Sequence, residues 1–129
     1  MTKLYHGTAR ALGIIAENDG LNPTGCESVS EEFRKSRCSE PGYVYFFEDK
    51  EDAVTFACGT AFKVGLGMQG EIFEINSEEV SVEKDPLLPY GSWRHEGSVA
   101  HDKLKTAEIV DCEKIGQGKK FWEKRFKSW

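Results

Sequence analysis

Residues 43–47 read Tyr-Val-Tyr-Phe-Phe, five consecutive aromatic or β-branched side chains without a charge among them. A run of this kind is typical of a buried strand, and it constrains the fold more than any other stretch of the chain. Glu48 and Asp49 follow at once, acidic residues suited to a helix N-terminus, and Ala53, Phe56 and Ala57 then recur at the spacing of one helical face. A buried strand running directly into a helix is therefore the centre of the expected architecture.

The flanking pattern extends this reading. Lys3 to Thr8 is expected to be a short strand leading into a helix over 9–17, with Leu12, Ile15 and Ala16 on its inner face and Asn18-Asp19-Gly20 as its stop. Residues 22–42 mix Pro, Gly and Ser with charges and read as a long exposed loop, with one helical turn at Ser30–Lys35. The Gly65–Gly70 segment breaks the second helix. Glu71 to Ile75 alternates as a half-buried strand, and Val80 to Glu83 alternates again before Asp85-Pro86 forces a turn. Further strands are expected at Glu96–Val99 and Ala107–Val110, with a turn at Asp102–Leu104 between them. No repeat or linker interrupts the 129 residues, so the chain reads as one α+β domain with a basic, aromatic segment over 114–129.

Charge and cysteine usage narrow the function classes. The net charge is −5, yet residues 114–129 hold six Lys and Arg against Glu123 alone, a local +5 that leaves the remainder at −10. An acidic body argues against a broad nucleic-acid surface, which needs many clustered Lys and Arg. No apolar run approaches the roughly twenty residues of a membrane span, and the N-terminus lacks the pattern of a secretion signal, so no membrane partner and a cytoplasmic setting are expected. Cys26, Cys38, Cys58 and Cys112 are irregularly spaced without a Cys-x-x-Cys pair, which predicts four free thiols and no metal. His95 and His101 do not complete a zinc pattern with them.

Two motifs carry chemistry: Leu4-Tyr5-His6-Gly7-Thr8, and Tyr45 within Val44-Tyr45-Phe46, with Phe56 eleven positions later. Over roughly Leu4 to Leu104 the chain resembles the ADP-ribosyltransferase superfamily, in the branch with a His-Tyr-Glu triad that includes the poly-ADP-ribose polymerases. His6-Gly7-Thr8 matches the family's first-strand His-Gly-Ser/Thr, Tyr45 its second-strand tyrosine, and Phe56 the aromatic on the following helix. The resemblance implies a compact fold of two small, mainly antiparallel half-sheets with two or three short helices and an NAD cleft between the sheets. NAD would enter as a co-substrate, with no metal.

The residue types suit that chemistry. Nicotinamide is a flat cation in NAD, which Tyr45 and Phe56 can sandwich by stacking and cation–π attraction worth about 0.5–2 kcal/mol. Gly7 lets backbone polar groups approach the carboxamide, His6 can bond a ribose hydroxyl, and Thr8 adds a polar contact. Arg94, and also Arg10, are the guanidinium candidates for the diphosphate. Breaking the glycosidic bond develops positive charge on ribose, which a nearby carboxylate stabilises. Glu96 matches the usual late-strand position of that carboxylate. Asp85 is the rival, since Asp85-Pro86 and Ser92-Trp93-Arg94 resemble segments of the small rifamycin ADP-ribosyltransferases. The implied activity is mono-ADP-ribosyl transfer, with a protein acceptor ranked ahead of a small molecule or nucleic acid. The alternatives are an inert NAD- or ADP-ribose-binding module, a protein-interaction module on the same fold, or rifamycin-like modification of a small molecule. The tRNA 2′-phosphotransferases share only the His-Gly pair, without their two-Arg, two-His pattern.

Overall fold

A computed structural model describes residues 2–23, 42–64, 68–86 and 91–115. Strand β1 (Lys3–Ala9) runs directly into helix α1 (Arg10–Asp19), and β2 (Tyr43–Phe47) leads into α2 (Lys50–Val64). Then come β3 (Gln69–Asn76), the two-residue β4 (Glu83–Lys84), β5 (Ser92–Glu96), a 3-10 turn at His101–Lys103, β6 (Lys105–Asp111) and the short α3 (Cys112–Ile115). The strands form one six-stranded sheet in the order β4-β5-β2-β1-β3-β6, and every pairing is antiparallel. The α+β class expected from the sequence is what the chain adopts. The two separate half-sheets are not.

The reason lies at the middle of the sheet. β1 pairs with β3 over seven residues and β2 with β5 over five, but β1 and β2 share the single register pair Tyr5↔Phe47. Two three-stranded ladders are thus fused at one point, and from it β1 runs towards Ala9 while β2 runs back towards Tyr43 without further pairing among the described residues. A backbone carbonyl left bare beside such a seam would be costly, so a partner has to be found for it. At Tyr45 that partner is a side chain.

Successive strand residues point to opposite faces, and the two cores follow this rule. Leu4, Val44, Phe46, Phe73 and Ile75 pack with Ala16 of α1, whereas Phe47, Ile72 and Val110 pack with Ala53, Val54, Ala57 and Cys58 of α2. The helices therefore cover opposite faces of the sheet, and the expected α2 face of Ala53, Phe56 and Ala57 is the observed one, with Phe56 at its margin.

Helix α1 departs from expectation. Ala16 is buried as expected and Leu12 half-buried, but the other buried residue is Gly13, and Ile15 is 56% exposed. The inward stripe consists of small residues because the sheet presents a fully buried carboxylate, Glu71, directly beneath it. A Cβ at Gly13 would collide with that carboxylate. Arg10 at the start of α1 donates to Glu71 at 2.5 Å and to Glu17 at 3.2 Å, and Thr106 donates to Glu71 at 2.8 Å. Arg10 is thus held by carboxylates at the foot of its own helix.

Two strand boundaries also move. The expected strand at Glu96–Val99 lies earlier, at Ser92–Glu96, because Gly97 takes φ +91° and its N–H turns to the carbonyl of Gly42. The strand expected at Val80–Glu83 is reduced to Glu83–Lys84, since Glu79 and Val80 close a turn on Asn76. Cys58 and Cys112 are not free thiols: they form a disulfide with Cα atoms 5.4 Å apart, within the usual range. A spacing of 54 residues gives no local hint of this, and sequence had offered no reason to pair them. No helix among the described residues is long and apolar enough to cross a membrane. The expected helical turn at Ser30–Lys35, Cys26, Cys38 and the basic tail beyond Ile115 lie outside the described residues.

Candidate functional site

The seam between β1 and β2 collects most of the residues singled out from sequence. His6 is half-buried, and its Nδ1 lies 2.7 Å from the carbonyl oxygen of Tyr45. A carbonyl only accepts, so Nδ1 carries a proton and donates it to Tyr45, and Nε2 is the ring's other nitrogen. This bond links β2 to β1 beyond their single register pair. The imidazole also stands 5.8 Å from the Phe46 ring, edge-on at 61°, and 6.4 Å from the Phe56 ring. Phe46 belongs to the α1-side core and Phe56 to the margin of the α2-side core. His6 therefore occupies the gap in the sheet itself, touching both faces.

Gly7 follows on the α2 face. A Cβ there would run into the Ala53 carbonyl oxygen and crowd the Ala57 nitrogen, so the absence of a side chain is what lets α2 lie flush on β1. Phe56 is positioned by the same helix and packs against Phe47 at 5.6 Å. Thr8 is buried, in register with Glu71. Tyr45 is buried as well, and its partner across β5 is Arg94.

Arg94 belongs to a compact cluster with the tyrosines. Its Nε donates to Glu83 at 2.9 Å and its guanidinium lies 3.9 Å over the ring of Tyr43. Burial works against its charge, but hydrogen bonds to Tyr45 and Glu83, with the field of Tyr43 and Glu83, outweigh it and hold the guanidinium above its ordinary range. Any diphosphate approaching Arg94 would compete with Glu83, just as one at Arg10 would compete with Glu71 and Glu17. Tyr43 and Glu83 carried no assigned role from sequence. Both are cross-strand neighbours of their partners, a relation that sequence separation hides.

The two candidate carboxylates lie on the same face as Tyr45, because directly paired residues share a face. Tyr43 pairs with Glu96, Tyr45 with Arg94 and Phe47 with Ser92, while β4 sets Glu83 beside Arg94. Glu96 is thus a diagonal neighbour of Tyr45, a relation that places the two residues roughly 7–8 Å apart. It is exposed and stands at the end where β1 and β2 diverge. Asp85 sits at the other end. It is 1% exposed, its N–H donates to the Ser92 carbonyl at 3.1 Å, and its carboxylate accepts from Ser92 Oγ at 3.2 Å. Two strand spacings separate it from β2, on the order of 10 Å. The fold therefore gathers His6, Tyr45, Phe56 and Arg94, brings Glu96 alongside, and sets Asp85 apart near the fused end of the seam.

The groups brought together at the seam are a half-buried imidazole, an aromatic margin at Phe56 and an exposed carboxylate, Glu96, at the open end. Of the 22–42 loop and the Gly65–Gly70 segment, which are expected to hold an acceptor, residues 24–41 and 65–67 lie outside the described residues. No protein-family profile matches the chain, and no curated protein sequence is found to match it.

Proposed function

We propose that this protein is a mono-ADP-ribosyltransferase built on an ADP-ribosyltransferase-like fold, with NAD bound at the β1–β2 seam. The observation that carries this reading is the junction itself: the sheet is held across its middle by one backbone pair and by the His6–Tyr45 bond, so two motifs 39 residues apart meet at the place where the strands part. Aromatic rings of Phe46, Phe47 and Phe56 surround the junction, which fits a flat, cationic nicotinamide.

In this reading Tyr45 and Phe56 flank nicotinamide, Gly7 offers its backbone to the carboxamide, and His6 holds a ribose hydroxyl through Nε2 while Nδ1 stays on the Tyr45 carbonyl. NAD supplies the scissile nicotinamide–ribose bond. Glu96 is the carboxylate that stabilises the positive charge developing on ribose, because it stands one diagonal step from Tyr45 at the open end, whereas Asp85 is buried and committed to Ser92. Arg94 acts through Tyr45 and Tyr43, which it holds by hydrogen bonding and stacking. Thr8 supports the strand that carries His6. A protein acceptor is favoured on the acidic character of the body, which suits a basic protein surface better than a nucleic acid.

The test is direct. Purified protein incubated with NAD should release nicotinamide, and His6→Ala or Tyr45→Ala should abolish release while each variant keeps its fold by circular dichroism. Unchanged turnover in both variants would sink the assignment, and NAD binding without any release would point to an inert binding module. Mass spectrometry of lysate proteins carrying an ADP-ribose adduct would then identify the acceptor.

A further inference from the structure

Helix α2 is held by three different close contacts, two of them with strands β1 and β3 and the third with the residue that follows β6. On β1 it meets Gly7, where no side chain would fit beneath Ala53. On β3 it meets Gly70, where an added Cβ would stand 2.8 Å from the Ala57 side chain. Beyond the end of β6 it is bonded covalently, Cys58 to Cys112. Both cysteines are fully buried. Phe56, two residues before Cys58, faces His6 and Phe47 from this helix.

We propose that the Cys58–Cys112 disulfide is a redox clamp on α2, and through α2 on the wall of the candidate site formed by Phe56. The inference concerns the helix position; its effect on turnover rests on the ADP-ribosyltransferase reading given above. A dithiol reductant supplies the two electrons and two protons required. Its thiolate attacks one sulfur, the Cys58–Cys112 bond breaks, its second thiol resolves the mixed disulfide, and both cysteines become thiols while the reductant becomes a disulfide. Two unbonded sulfurs then need van der Waals separation, and the flush contacts at Gly7 and Gly70 leave α2 no room to move towards the sheet. It moves outward, and Phe56 goes with it. Because both sulfurs are buried, reduction waits on local opening of α2 or α3 and is slow.

The experiment uses the full chain. Differential alkylation and peptide mass spectrometry of the peptides carrying Cys58 and Cys112 should show them joined in air-purified protein and separate after treatment with dithiothreitol. Hydrogen exchange of the reduced protein should quicken over Lys50–Val64 and stay slow in the β1–β3 ladder, reverting on reoxidation. Nicotinamide release should fall about tenfold to a hundredfold on reduction, as expected when a binding wall shifts by about an ångström. A Cys58→Ser, Cys112→Ser double variant should sit in the low state whatever the redox condition. Separate cysteines in the oxidised protein, unchanged α2 exchange on reduction, or loosening of the whole sheet together would each overturn the clamp. If α2 loosens as stated but the oxidised protein releases no nicotinamide, the clamp stands and the transferase reading falls.

Discussion

His6 illustrates how one side chain can serve the fold and the chemistry at once. Its Nδ1–H bonds the Tyr45 carbonyl across the parted strands, and the same bond fixes the orientation of the ring and so of Nε2. The carboxylates separate by their surroundings. Glu96→Gln should lower nicotinamide release about 10²–10³-fold with little change in melting temperature, the scale seen when one group that stabilises transition-state charge is removed. Asp85→Asn should leave turnover nearly intact and lower the melting temperature, because it disturbs a buried pair with Ser92. Steady-state assays and thermal unfolding of both variants decide it; the opposite pattern would move the role to Asp85. The identity of these residues could be read from the sequence, but their ranking could not, since it depends on which end of the seam each occupies.

At the scale of elements, two glycines make a matched comparison. Gly7→Ala should destabilise by about 1–3 kcal/mol through forced displacement of α2, and should impair the site along with it. Gly97→Ala meets nothing within 4 Å, yet holds φ +91°, so its cost of roughly 1–2 kcal/mol comes from backbone conformation alone. Urea denaturation gives both values, and equal turnover in the two variants would refute the α2 part of this argument. Helix α1 carries a pH dependence instead. Glu71 is raised above the ordinary value of 4.5 chiefly by burial, against the bonds from Thr106 and Arg10. Its contribution to stability is therefore complete below pH 4.5 and is lost as pH rises through the folded value. Glu17 is lowered, first through its hydrogen bond with Glu71, and its contribution runs the other way, lost as pH falls below 4.5. Upward from pH 4.5, wild type should thus lose stability relative to Glu71→Gln, which cannot ionise. Denaturation midpoints that run parallel with pH would show the shift to be absent.

For the molecule as a whole, the consequence of the seam is uneven stability. The β1–β3–β6 ladder is long and is tied to α2 through Cys112 just past β6, whereas among the described residues the β4–β5–β2 ladder meets it within the sheet at one register pair and the His6 bond. Native-state hydrogen exchange should find the slowest amides in β1 and β3 and faster ones in β5, with His6→Ala widening the difference. Uniform protection across all six strands would mean that the junction is stronger than its single pair implies.

What the sequence determined by itself was local. The Tyr43–Phe47 strand, the α2 face, β3, β6 and the His-Gly-Thr and Tyr motifs are legible because a strand of uniform character and a helix with one apolar face announce themselves within a few residues. On the expected α1 face Ala16 is buried and Leu12 half-buried, but Ile15 is exposed, because the buried carboxylate of Glu71, 56 residues further along the chain, lies under Gly13 where an apolar surface was expected. The tertiary structure alone decided that one sheet forms rather than two, that Cys58 finds Cys112, that Arg94 lies over Tyr43, and that Glu96 stands nearer to Tyr45 than Asp85 does. Each of these depends on strand order and register, which bring residues distant in the chain to within a few ångströms and leave no periodic trace in either segment taken alone.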